Sequence, residues 1–147
     1  MKNKKLFIVI LLFLLASFSL TACQEEEAPQ QQAIQIDGFD IILTEPDVDF
    51  PDSITFEIEI ESDVDISGIS LQYQVEKLNV FPVTSVTFPE FEPATHVTTS
   101  WEWNLRTTGG LPPGTDLSYW WSIEDSDGHT AETPVAALSF NDDRHSW

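Results

Sequence analysis

Ile54-Thr-Phe-Glu-Ile-Glu-Ile-Glu61 decides the fold. Apolar side chains at Ile54, Phe56, Ile58 and Ile60 alternate with Thr55, Glu57, Glu59 and Glu61. Successive side chains of a strand point to opposite faces, so this stretch reads as a strand with one buried and one wet face. A helix would scatter the isoleucines around its circumference.

Working outward, the same alternation recurs. Ile69 to Glu76 places Ile69, Leu71, Tyr73 and Val75 inward, after a turn expected over Ser62 to Gly68. Leu117 to Glu124 places Leu117, Tyr119, Trp121 and Ile123 on one side. Val97 to Leu105 carries Trp101, Trp103 and Leu105 on one face. Ile34 to Leu43 reads as a first strand, and Val83 to Phe88, with prolines on both sides, as an edge. Thr130 to Phe140 reads as a last strand interrupted by Pro134. Turn chemistry separates these runs, including Asp125-Ser-Asp-Gly128. No helical window appears after the N-terminal apolar run. The expectation is an all-β fold: a single immunoglobulin or fibronectin type III-like antiparallel β-sandwich of about seven strands over residues 34–147.

The N-terminus is built differently. Lys2, Lys4 and Lys5 precede an unbroken apolar run from Leu6 to Leu15. This is the anatomy of an export signal, and the run falls short of the ~20 residues of a comfortable membrane span. Leu20-Thr21-Ala22-Cys23 follows and resembles the lipobox of bacterial lipoproteins. The resemblance implies that residues 1–22 are removed and that Cys23, the only cysteine, takes a diacylglyceryl group as a thioether. An ordinary signal peptide with a chance cysteine, or an uncleaved anchor, are the competing readings. Residues 23–33, rich in Gln, Glu and Pro, read as a flexible acidic tether. The expected location is the outer face of the cell membrane, or the outer membrane in a diderm host.

Three of the six basic residues lie in the signal. The remainder sets three against 25 acidic residues, a side-chain charge of −22. Such a surface repels nucleic acid and anionic headgroups. With Cys23 lipidated, no thiol remains for a disulfide or a metal site.

Leu111-Pro-Pro-Gly-Thr115 resembles the Leu-x-Pro-Gly-Thr-x-Tyr pattern of fibronectin type III domains. Leu117 stands where that pattern has tyrosine, and Tyr119 lies two residues further on the same face. Together with Tyr119-Trp-Trp121, Glu124-Asp-Ser-Asp-Gly128, Asn141-Asp-Asp-Arg144 and Trp147, the segment resembles the β-sandwich that precedes the catalytic region of peptidase-MA-like metallohydrolases. That resemblance implies a sandwich without activity, because the zinc-binding region lies outside it.

The sequence carries no metalloprotease or serine-hydrolase motif, and its many acids would allow a paired-carboxylate glycosidase only against the small size of the domain. His96, His129 and His145 are not spaced as H-E-x-x-H, and no G-x-S-x-G occurs. Asp125 and Asp127 resemble the start of a calcium loop, which would make weak surface Ca²⁺ the one candidate cofactor; a plain hairpin tip is the duller reading. Trp101, Trp103, Trp120 and Trp121 could form a sugar-stacking platform; core packing of all but Trp120 is the alternative. The functional expectation is a non-catalytic, membrane-anchored module for protein binding or spacing. Its alternatives are a carbohydrate-binding module using Trp120 and the non-catalytic portion of a split metallopeptidase.

Overall fold

The computed structural model describes residues 31–76 and 83–141. Nine strands follow in order: β1 (Gln31–Ile36), β2 (Phe39–Thr44), β3 (Asp47–Asp49), β4 (Ser53–Val75), β5 (Thr84–Thr87), β6 (Ala94–Asn104), β7 (Thr115–Asp125), β8 (Thr130–Glu132) and β9 (Ala136–Phe140). One turn of helix, α1 (Leu105–Thr108), follows β6. Every strand pair is antiparallel.

The arrangement is a curled all-β sandwich, and β4 explains how it curls. Its first part pairs with β2 and β3 on one edge and β6 on the other. Its second part pairs with β5 and β7. β7 in turn pairs with β8 and β9. One 23-residue strand therefore belongs to both layers. The turn expected at Ser62 to Gly68 does not occur. Instead the register shifts between Glu61 and Ile66 against β6, and between Ile66 and Gly68 against β7. Such bulges bend a strand and increase its twist without ending it.

Three further expectations change. The single strand over Ile34 to Leu43 is a hairpin, β1–β2, with Ile36 paired to Phe39 across Asp37-Gly38. Both turn residues have positive φ, 47° and 90°, as a two-residue primed turn requires. That hairpin starts at Gln31, three residues before the expected start of the first strand at Ile34. The last strand is two, split around Pro134, which supplies no ladder N–H. Leu105 opens α1 rather than closing a strand. Asn104 caps the helix by accepting from the Thr107 amide, and Gly109 at φ 99° ends it.

The core lies between the layers. Ile54, Phe56, Ile58 and Ile60 are fully buried, as the alternation demanded. They share the core with Leu71 from the second part of β4, Leu117, Trp121 and Ile123 of β7, and Phe140 of β9. Tyr73, Trp101 and Trp103 close one margin of this core as a half-buried stack, with ring centroids 4.8–6.2 Å apart. The Trp103 indole N–H donates to Thr108 Oγ1 at 3.0 Å, tying α1 to that stack.

Candidate functional site

The two outer faces of the sandwich differ in charge. The outer face of the first layer carries Glu57, Glu59 and Glu61 from β4, Asp40 from β2 and Glu102 from β6. Glu61 stands directly opposite Asp40. Asp40 is relieved by a hydrogen bond from Gln35 Nε2, and Glu59 by His96, whose Nε2 lies 2.8 Å from Oε1.

The outer face of the second layer is uncharged across its middle. Register sets Val86, Gln72 and Trp120 in one cross-strand row. Thr84, Gln74, Ser118 and Ala137 form the next row. Gln74 Nε2 donates to Thr84 Oγ1 at 2.8 Å, and Gln72 Nε2 to Ser70 Oγ at 3.3 Å. The Gln72 side-chain oxygen, Oε1, is buried and has no partner among the described residues. All four large apolar side chains exposed among the described residues flank this layer. Val83, Val86 and Phe88 lie on and beside β5, at 74%, 51% and 74% exposure, and Val135 lies at the β8–β9 joint.

The tryptophans are placed as the core-packing alternative expects. Trp121 is in the core at 1% exposure. Trp101 and Trp103 line the margin between the layers. Trp120, half-buried, looks the other way. The four rings therefore do not share a plane or a face. Among the described residues the Trp120 indole has no ring partner and no hydrogen bond.

Asp125 has a structural task. Its Oδ1 accepts from the amides of Asp127 and His129, each at 2.9 Å, and its Oδ2 meets His129 Nδ1 at 2.8 Å. Burial pushes the Asp125 carboxyl up. Hydrogen bonds from the His129 ring and amide, the imidazolium charge and the Asp127 amide outweigh it and hold the carboxyl below its ordinary range. The His129 imidazole is raised, first by its hydrogen bond to Asp125 and then by the charges of Asp125 and Asp127. Asp125 thus ties off the β7–β8 hairpin, and Asp127 lends it an amide. Among the described residues no three His, Cys, Asp or Glu side chains are grouped to hold a metal ion.

Tyr119 does not build a tyrosine corner. It is 9% exposed and meets Phe56 edge-on at 5.1 Å. Its hydroxyl makes no hydrogen bond among the described residues, and Tyr119 lines a cleft of about 270 Å³ with Gln31, Gln32, Leu43, Thr44, Glu45 and Ala136. Burial, then the charge of Glu45, raises its pKa. The Pro-Gly-Thr turn is held by other bonds: Thr115 Oγ1 donates to the Pro112 carbonyl at 2.6 Å, and the Gly114 amide to the Phe140 carbonyl at 2.8 Å.

Leu20, Thr21, Ala22 and Cys23 lie outside the described residues, as do His145 and the segment through Arg144 to Trp147. No described helix is long and apolar enough to cross a membrane. The residue and structural observations define a class, a small acidic β-sandwich with an uncharged strip across one outer sheet face. No model of a known protein family matches the chain, and no curated protein matches it at a significant level.

Proposed function

We propose that this protein is an exported, lipid-anchored surface module whose sandwich binds a protein partner through the second layer, without catalysis of its own. The observation that carries the reading is the uncharged strip across the outer face of the second layer, whose acids, Asp116, Glu124 and Glu132, lie to either side of it. A body with a charge of −22 keeps its acids off the strip from Val86 through Gln72 to Trp120 and leaves its exposed apolar side chains around it. Isolated apolar residues on a surface are ordinary; a cluster around an uncharged strip points to a contact surface. The anchor rests on the export signal and on Leu20 to Cys23. One acyl chain gives marginal membrane binding, and two or more hold durably.

The test has two arms. Mass measurement of protein from native membranes is expected to find Cys23 as the lipid-bearing N-terminus. Cross-linking on intact cells is expected to trap a discrete partner, and Val86→Glu is expected to abolish that cross-link. An intact Met1 on protein found in the cytosol sinks the anchor, and a cross-link indifferent to Val86→Glu sinks the face.

Sugar recognition is a second reading, favoured by one observation. The half-buried Trp120 ring lies on the uncharged strip with no ring partner among the described residues, a surface on which a neutral sugar ring stacks. Glycan binding lost in Trp120→Ala would select it.

A further inference from the structure

We infer that β5 accepts an extended segment of another polypeptide as an added antiparallel or parallel strand, and that the segment is apolar in its middle and basic at its ends. This rests on the protein-binding reading above and gives that reading a partner chemistry.

The edge comes first. Among the described residues β5 pairs only with β4, through Leu71–Thr87, Gln72–Val86, Tyr73–Ser85 and Gln74–Thr84. No described residue covers its other side, which presents backbone donors and acceptors. Free edges of this kind are usually blunted by charge, by an internal proline or by a covering element. Thr84-Ser-Val-Thr87 carries no charge and no proline, and its Thr and Val favour extended backbone. β1 is also an uncharged edge, but no large exposed apolar side chain accompanies it.

Apolar contact comes second. Val83, Val86 and Phe88 are three of the four large exposed apolar side chains described, and all three lie within or next to this one short strand. Val86 projects on the outer face beside Gln72. An incoming strand would lay alternate side chains against Val86 on that face. Main-chain bonds then supply affinity, and the alternate side chains supply selectivity.

Charge selects the occupant. Exposed Glu76 precedes β5, and exposed Glu90 and Glu92 follow it. Glu90, Phe91 and Glu92 line, with Pro89, an open hollow of about 520 Å³ just beyond the end of the strand. The Thr99 hydroxyl holds that loop in place by donating to the Glu90 carbonyl at 3.0 Å. A lysine or arginine at an end of the incoming segment meets these carboxylates. A second copy of this chain would instead bring its own flanking acids to the same place, on a body that already repels itself.

The test uses the purified full-length protein in mild detergent and a probe peptide, Lys-Lys-Val-Thr-Val-Thr-Val-Lys-Lys. Hydrogen exchange is expected to show new protection at the amides of residues 84–87 on adding the peptide. A peptide with glutamates for the lysines is expected to bind at least ~10-fold more weakly at low salt. A peptide with proline for the central valine is expected to give no protection. Val86→Lys is expected to abolish binding with unchanged melting temperature and near-ultraviolet dichroism, and Glu57→Gln, on the opposite face, to leave it intact. Absence of protection at 84–87, or equal binding of the proline peptide, overturns the inference. So does self-association that protects the same amides without peptide. A natural partner lost on Trp120→Ala with no protection at β5 also overturns it, while leaving the binding-module reading in place.

Discussion

Trp120 and Trp121 are neighbours in sequence with opposite surroundings. Trp121 sits in the core, and Trp120 lies on the outer face. Trp121→Ala is expected to cost about 3–5 kcal/mol, the range for losing a large buried ring. Trp120→Ala is expected to cost about 1 kcal/mol or less, since a surface position loses little packing. Urea melts of the two variants measure the difference, and similar losses would mean that the outer face is buried in solution. That split was legible in the sequence, because a strand alternates whatever its neighbours are. The role of Thr133 was not legible. Its hydroxyl accepts from the Trp121 amide at 2.9 Å and its own amide donates to the Trp121 carbonyl, so it repairs the ladder where β8 ends. A threonine next to a proline gives no such hint, since the bond joins residues twelve positions apart. Thr133→Val keeps the shape and strands a buried amide N–H, with an expected loss of about 1–3 kcal/mol. Thr133→Ser keeps the acceptor and is expected to lose less.

Elements show why some boundaries were readable and others were not. In β4 the buried apolar positions are even-numbered through Ile66 and odd-numbered from Ile69. A regular strand cannot change parity, so the change marks the bulge. Ser62, Asp63, Asp65 and Gly68 look like a turn because turns and bulges use the same residue types. The Asp37-Gly38 hairpin carried its ordinary signal between two apolar runs, and the apolar residues on either side masked it by continuing one another. α1 is a single turn, too short to show periodicity. The β7–β8 hairpin carries a pH signature. His129 is raised, so its contribution is present below about pH 6.5, its ordinary pKa, and is lost as pH rises through the folded value. Asp125 is lowered, so its contribution is present above about pH 3.9 and is lost as pH falls through the folded value. The pair therefore acts together between those limits. The melting-temperature gap between the protein and His129→Ala is expected to be widest there and to narrow toward pH 9. A gap that stays constant to pH 9 would mean the imidazole is neutral throughout.

At the scale of the whole molecule, charge was counted from the sequence but its placement was not. Composition gives −19 for the whole chain; only the pairing of β4 with β2 and β6 puts Glu57, Glu59, Glu61, Asp40 and Glu102 on one face, with Asp40 and Glu61 directly opposed. Like charges opposed across strands destabilise a sheet, and the screening length is about 10 Å at 0.1 M salt. Adding salt therefore relieves the first layer more than the second, whose Asp116, Glu124 and Glu132 stand opposite uncharged residues. Raising sodium chloride from about 0.02 M to about 0.5 M is expected to raise the melting temperature by a few degrees, since about 1 kcal/mol moves a domain of this size by roughly 4–8 °C. The same experiment examines Asp125 and Asp127. If their loop held Ca²⁺, millimolar CaCl₂ would stabilise the fold beyond MgCl₂ at equal ionic strength, because a ligand bound only by the folded state adds its own term. With both Asp125 oxygens already accepting hydrogen bonds within the hairpin, the two salts are expected to act alike. A calcium-specific rise that disappears in Asp127→Asn would show that the turn opens to bind a cation.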